Sequence, residues 1–343
     1  MEKIDFVLPW VDGSDEQWLE KKAKYSNTKL EKGSDSAHRF RDLETLKYVL
    51  RGIHINCPWY NKIYIITEGH FPEWLDIKHP KITLITHEEL YFDKSHLPVF
   101  NSSSIEMNLA NIKGLSEKFI YLNDDFLIIS KLSKERFFRN NKPIDFFSHG
   151  WLPRNKIFGL FKGIGTWIHS INNNINLINR EFKFKKLDNK YLFHSSYLSK
   201  TKLSNFLYKF FYKNIFWLEH WHHPQPYLLT TLQEVHKRFE KEMMVSSSNR
   251  FRANNDLTQY LYRYWHLLNE NFEPHRYNDD YVLNIISKES FDKGLRYIKT
   301  TKELNFICFN DSPQLGNNEF EYIKTSLLNY LEKILPQKAP FEI

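Results

Sequence analysis

Short apolar runs at 4–9 ("IDFVLP"), 62–67 ("KIYIIT"), 81–86 ("KITLIT") and 118–122 ("KFIYL") punctuate the first 130 residues. They are too short for helices and too uniformly apolar for a sheet with a wet face, so they read as buried strands. Helical patterns lie between them. "RDLETLKYVLRGI" places Leu43, Leu46, Val49, Leu50 and Ile53 on one face, with Asp42 and Glu44 near its positive end. "NSSSIEMNLANIKGL" has serine caps and a terminating Gly114. Strand and helix in alternation predict an α/β fold, a mostly parallel Rossmann-like sheet with helices on both faces. Further helices are expected in "TTLQEVHKRFEKEMM", "LTQYLYRYWHLLNE" and "EFEYIKTSLLNYLEKIL".

Such sheets bind ligands beyond the carboxyl ends of their strands. Asp12, in "VDGSDEQW", follows the first run, and Asp124 and Asp125, in "NDDF", follow the fourth. Two adjacent carboxylates left unpaired inside a core would cost several kcal/mol, so this pair must meet water, a cation or a basic partner. A hard cation such as magnesium takes one or two carboxylates and fills its remaining positions with water and substrate phosphate oxygens. A solvated turn capped by Asp is the simpler alternative.

"LEHWHHPQPY" gathers His220, His222 and His223 beside Trp217 and Trp221. These imidazoles suit a general base or a metal ligand, or are incidental to an aromatic-packed loop. Zinc is disfavoured, because no cysteine is nearby and the spacing matches no zinc pattern. "SSSNRFRANND" presents Arg250 and Arg252, whose paired donors match phosphate.

With 41% apolar residues among 343, and only 11 Gly and 13 Pro, the chain is globular and neither disordered nor fibrous. A formal charge of +7 favours anionic partners without choosing among them. Cys57 and Cys308 sit in apolar surroundings and read as small buried hydrophobes of a reducing compartment. The N-terminus shows no cleavable signal pattern and no apolar run approaches the roughly 20 residues of a membrane span, which predicts a cytoplasmic location. Residues 180–213 stand apart, with nine Lys or Arg against two acids and ten Phe or Tyr interleaved. That segment suits an anionic membrane surface, single-stranded nucleic acid, or a helical pair with buried aromatics; no nucleic-acid module accompanies it.

Taken in order, "IDFVLPWVDGSDEQW", "RFRDLETLKYVLRGIHINCPWYNKIYIITEGHFPEWL", "HPKITLITHEELYF", "LPVFNSSSIEMNLANIKGLSEKFIYLNDDF", "HHPQPY" with "RFRANNDL", and "FICFND" resemble the Stealth family of sugar-1-phosphate transferases. The resemblance covers most of the chain and is most specific over residues 38–128. The family includes bacterial capsule and exopolysaccharide phosphotransferases and the catalytic subunit of the animal GlcNAc-1-phosphotransferase. The resemblance implies a nucleotide-sugar transferase fold and transfer of hexose-1-phosphate from a UDP-sugar to an acceptor hydroxyl, forming a phosphodiester and releasing UMP. It also implies a single catalytic domain over 1–343: an α/β nucleotide-sugar half at 1–130, a helical acceptor-facing half at 150–270 with the basic aromatic insertion, and a C-terminal part at 271–343 returning to the core.

Carried over motif by motif, the resemblance implies Asp12, Asp125, His222 and Arg252 as catalytic residues. Arg39, Asp42, Asn101, Glu106, Asn310 and His223 would bind substrate, and His223 could stand in for the adjacent His222. Asp124, Asp125 and Asp311 would hold Mg2+ or Mn2+. The chain departs from many relatives at "LPW", where a Thr precedes Trp; Pro9 at a strand end is tolerated. The implied acceptor is a glycan or lipid-linked oligosaccharide, with peripheral contact to anionic membrane and no role for nucleic acid; the sequence leaves the oligomeric state open. Two rivals make different products. A metal-dependent glycosyltransferase would release UDP, and a basic membrane-surface or nucleic-acid-binding protein would consume no UDP-sugar.

Overall fold

All four apolar runs become parallel strands of one sheet in the computed structural model, which describes residues 2–26, 41–150, 165–182, 187–220, 223–312 and 315–343. They are β1 (Ile4–Pro9), β2 (Ile63–Thr67), β3 (Ile82–Thr86) and β4 (Lys118–Tyr121). Three short strands follow, β5 (Phe126–Ile128), β6 (Phe138–Arg139) and β7 (Lys142–Asp145). β8 (Gln225–Leu228) then returns to the sheet antiparallel to β4, giving the order β3-β2-β1-β4-β8. The order reverses direction between β1 and β4, and at such a switch point the flanking loops splay apart and leave a crevice. The loops in question are those that begin at Trp10 and at Leu122.

Alternation along the strands divides the core in two. Phe6, Leu8, Ile63 and Ile65 pack with Leu46, Val49, Leu50 and Ile53 of α2 (Leu46–Asn56), which follows α1 (Glu16–Ser26) in the chain. Val7, Tyr64 and Ile66 point the other way, into a cluster with Ile171, Ile175 and Ile178 from a helix at Thr166–Glu181 and Leu261, Leu267 and Leu268 from one at Tyr260–Leu268. Helices therefore cover both faces, and each fully buried Leu or Ile contributes about 1.5–3 kcal/mol.

A second sheet joins the C-terminal part to this core. β10 (Asp280–Ile285) runs parallel to β11 (Phe306–Asp311), and β11 pairs antiparallel with β5, Cys308 opposite Phe126. β9 (Glu273–Pro274) pairs with β7 in a third, small sheet. Arg51 of α2 is 1% exposed and donates to Glu342, Glu332 and the Leu335 carbonyl, pinning the chain's last turn to the first half. Cys57 and Cys308 are free and buried, as their surroundings predicted. Among the described residues no helix is long and apolar enough to cross a membrane.

α2 lies so close to β5 that a β-carbon added at Gly52 would stand 2.6 Å from the Ile128 carbonyl oxygen. Backbone cannot give way as a flexible side chain would. Gly52→Ala is therefore expected to lower stability by about 1–3 kcal/mol in a urea melt, despite the better helix propensity of Ala. A stabilised variant would mean that α2 stands off the sheet.

Two helix expectations change in detail. The pattern predicted from Asn101 to Leu115 is helical only over α4 (Ser102–Glu106), after the short α3 (His87–Leu90), and resumes as a single 3-10 turn at Leu109–Asn111. Two side chains interrupt its ladder: Asn108 Nδ2 donates to the Ser104 carbonyl at 3.0 Å, and the Tyr262 hydroxyl to that of Glu106 at 3.0 Å. The pattern over 230–244 is likewise two helices, Leu229–Arg238 and Glu240–Ser247, meeting at a non-helical Phe239.

Candidate active site

A cleft of about 360 Å³ opens at the switch point, lined by Trp10 and Val11 after β1, by Asn123, Asp124 and Asp125 after β4, and by Asn310 and Asp311 at the end of β11. Register explains the last of these. With Cys308 opposite Phe126 in an antiparallel pair, each step beyond Cys308 falls beside a step before Phe126, so Asn310 and Asp311 arrive next to Asp124 and Asn123. The Phe309 amide donates to the Asp125 carbonyl at 3.3 Å, and the Cys308 thiol lies 3.3 Å from Asp125 Oδ2.

The acidic wall carries unfavourable charge. Burial pushes the Asp124 carboxyl well above the usual range, and the charges of Asp125 and Asp42 push it further. The Asp42 carboxyl is also raised, first by burial and then by Glu44 and Asp12. Asp42 Oδ1 holds the Glu44 amide at 2.6 Å, which supports the left-handed φ of 56° at Glu44. The Thr45 hydroxyl donates to the Asp124 carbonyl at 2.7 Å and fastens the strand end to the start of α2. Asp12 sits beside the rim, where its Oδ1 accepts from the Ser14 amide and hydroxyl and its amide donates to His70 Nε2 at 2.9 Å.

Opposite stands a basic and aromatic wall. Asn101 caps α4 by accepting from the Ser103 amide, while its Nδ2 reaches Asp256 at 3.1 Å and the carbonyls of Asn249 and Phe251. Asp256, its carboxyl raised by burial to about 6, accepts in turn from the Ala253 amide. This lock fixes the 249–256 loop and sets Arg252 against the Ser102 hydroxyl at 2.9 Å. Among the described residues no carboxylate lies within salt-bridge distance of Arg252, which lines the cleft and whose charge acts at longer range on Asp256 and Glu106. Phe100 stacks on Phe251 at 5.1 Å and meets Trp18 edge-on at 5.5 Å, an apolar floor beside the charged groups.

Of the residues singled out in the sequence, Asp42, Asn101, Asp124, Asp125, Arg252, Asn310 and Asp311 line this one cleft, and Asp12 borders it. Glu106 stands behind the wall; its carboxylate accepts from the Gln259 amide and the Tyr121 hydroxyl, and burial raises it to about 7. His223 is 1% exposed, stacks on Phe306 at 5.2 Å and is held neutral by burial, its pKa near 3, so it belongs to the core rather than the cleft. Asp311 is committed to a paired contact with Arg41, Nε and Nη2 each 3.1 Å from a carboxylate oxygen. Arg39 and His222 lie outside the described residues.

Arg41, His87, Trp18 and Phe100 are cleft residues that sequence reasoning did not single out. Arg41 had a signal, since "RFRD" offers two arginines, one residue apart, before the acid. His87 presents its Nδ1 to Glu68 Oε2 at 2.9 Å, a contact between the ends of two strands that no local pattern encodes.

Three family models match the chain: Stealth protein CR1, conserved region 1, over residues 2–30; CR2, conserved region 2, over 39–146; and CR3, conserved region 3, over 221–267. The capsular polysaccharide phosphotransferase WcwK of Streptococcus pneumoniae is 32% identical over 356 residues, covering 100% of this chain and 98% of that protein. The chain belongs to the Stealth family. Similar Stealth-like lengths and identities recur in the exopolysaccharide phosphotransferase cps2G of Lactiplantibacillus plantarum, 33% identical over 99% of this chain and 96% of that one. The receptor polysaccharide phosphotransferase WefC of Streptococcus gordonii is 31% identical over the full length of both. Among solved structures, the apo bifunctional glycosyltransferase WbbM covers 98% of this chain with 52% of its own at a TM-score of 0.38 and 7% identity. At that level of superposition nothing about chemistry follows.

The cleft can be tested for a divalent cation by its donors. Among the described residues no three His, Cys, Asp or Glu side chains converge as a closed metal cluster. Magnesium does not need one, because it is held by one or two carboxylates and keeps waters and substrate oxygens in its other positions. Asp124 and Asp125 are such a pair, and the burial and the carboxylate repulsion that raise Asp124 are what a cation would offset. The donor set fits.

Proposed function

We propose that this Stealth protein is a hexose-1-phosphate transferase of cell-surface polysaccharide synthesis, which moves sugar-1-phosphate from a UDP-sugar to a hydroxyl of a glycan or lipid-linked oligosaccharide. The observation that carries the reading is one cleft lined by the Asp124–Asp125 pair and by an arginine that, among the described residues, has no carboxylate within salt-bridge distance. The acceptor hydroxyl attacks the phosphorus that bears the sugar, the bond from that phosphorus to the bridging oxygen breaks, and UMP leaves with the oxygen. Catalysis of this kind is mostly positioning and charge neutralisation.

Asp124 and Asp125 would hold Mg2+ or Mn2+, which when bound offsets the charge of the pyrophosphate. Arg252, fixed by the Asn101–Asp256 lock, neutralises the transferring phosphoryl group. Asp311 holds Arg41 at the cleft, where the guanidinium can reach a departing phosphate. His222 takes the acceptor's proton, with Asp12 at the rim as the alternative base. Trp18 and Phe100, which meet edge-on, give the cleft an apolar floor beneath the base or sugar of the donor.

The test is incubation of the purified protein with a panel of UDP-sugars, Mg2+ and a glycan acceptor. UMP release with a phosphorus-coupled sugar signal in the product is expected. Release of UDP instead would assign the chain to glycosidic bond formation.

A further inference from the structure

The helix α7 (Ser199–Phe211), the seventh after α5 (Thr166–Glu181) and α6 (Asn189–Leu192), is amphipathic in the inverse sense. Its buried face is mostly polar: Thr201, Ser204 and Asn205 turn inward, at most 2% exposed, and Tyr208 packs beside them on Phe147 and His149. Asn205 accepts from the His149 amide at 3.0 Å and donates to the carbonyls of Phe147 at 2.7 Å and Leu192 at 2.8 Å, and Ser204 donates to the His149 carbonyl. That face is satisfied. The apolar side chains point outward, Leu203 49%, Phe206 44%, Phe210 60% and Phe211 69% exposed, with Phe206 and Phe210 touching at 4.7 Å. Rotating the helix to bury them would break the hydrogen bonds that fix it, so the exposed ridge is a built feature of the fold.

The sequence that carries the ridge is rich in lysine, and Glu219, the acid whose charge Lys200 meets, is paired with Arg276. Residues 189–218 contain five lysines and no acid, and Lys200, Lys202 and Lys209 lie on the same helix as the phenylalanines. An apolar aromatic ridge rimmed by lysine complements an anionic lipid surface, where the rings enter the headgroup boundary and the ammonium groups meet phosphate. We propose that α7 docks the protein on anionic membrane through Leu203, Phe206, Phe210 and Phe211. This extends the reading in which the acceptor is lipid-linked, by naming the surface that would bring the enzyme to it.

Flotation of the full chain with vesicles of phosphatidylcholine, alone or mixed with phosphatidylglycerol, tests the assignment. Wild type should float with the anionic vesicles only, and less at high salt. Phe210→Ser with Phe211→Ser should weaken partitioning by at least about tenfold. Lys200→Glu with Lys209→Glu keeps the apolar ridge and should weaken it by about 25-fold or more. Because both native cysteines are buried, a thiol-reactive, environment-sensitive dye on a Phe210→Cys variant should shift to the blue on anionic vesicles. Equal flotation on neutral vesicles, flotation that neither pair of substitutions weakens, or preferential binding of single-stranded RNA overturns the proposal. So does self-association abolished by the serine substitutions without vesicle binding, which would make the ridge an interface between two copies. The vesicles carry no glycan and the assay no UDP-sugar, so failure to float leaves the transfer reading intact. Failure to release UMP with a soluble acceptor leaves the docking surface intact.

Discussion

Replacing Asp124 by Asn is expected to lower divalent-cation-dependent UMP release by about 10²- to 10³-fold, the size of effect seen when a group stabilising transition-state charge is removed. Activity alone would not separate a ligand from a structural residue, so stability supplies the second reading. The folded-state pKa of Asp124 is raised, by burial first and by Asp125 and Asp42 next. A raised carboxyl contributes stability that is fully present below the unfolded value near 3.9 and is lost as pH rises through the folded value. The cation-free wild type should therefore lose stability as pH rises above the ordinary carboxylate range. Asp124→Asn removes the ionisation and should flatten that part of the profile. Deprotonation is also what a cation requires, so Mn2+ should raise the melting temperature of wild type more at higher pH. At about 100 times its Kd a ligand adds about 2.7 kcal/mol, and the Asn variant should lose most of that gain. A variant whose melting point still responds fully to Mn2+ would remove Asp124 from the ion.

Arg252→Ala should reduce transfer by about 10²- to 10³-fold while leaving folding nearly untouched. Arg252 is half-buried, and among the described residues its side chain donates to the Ser102 hydroxyl alone. The Asn101–Asp256 contacts hold that loop without it, so the stability from a urea melt should change by no more than about 0.5 kcal/mol. Arg252→Lys should recover little, because an ammonium is a point charge and cannot present the paired donors that fit a phosphate. Full activity in the Lys variant would reduce Arg252 to a source of positive potential. A large loss of stability in the Ala variant would make it a structural clamp.

The strands of the parallel sheet were legible because each is a short apolar run buried on both sides, and the acids stood out because they end such runs. Pairings between distant segments were not. Nothing in the period of "FICFND" says that it runs antiparallel to a three-residue strand almost 180 positions earlier, yet that register alone brings Asn310 and Asp311 beside Asp124 and Asn123. The resemblance points to Arg39, and no local pattern in "RFRD" tells that Arg41 meets a carboxylate at the far end of the chain. The resemblance implies substrate contacts at Glu106 and His223, but burial is a tertiary quantity. One stands behind the wall and the other under Phe306. The exposed phenylalanines of α7 were legible only as part of an aromatic, basic stretch, since an inverted helix looks in sequence like an ordinary one.

β11 closes one side of the cleft, and the residues beyond it return to α2 through Arg51 and Glu342. A chain cut before Phe306 would keep every strand of the parallel sheet and both acids that follow β4. It would lose the partner of β5, the anchor of Arg41 and the seal on α2. The smallest working unit is therefore much larger than the sheet that bears its carboxylates, and a fusion or split of this enzyme has to be made at a surface loop that leaves the first strand and the last turn on the same folded body.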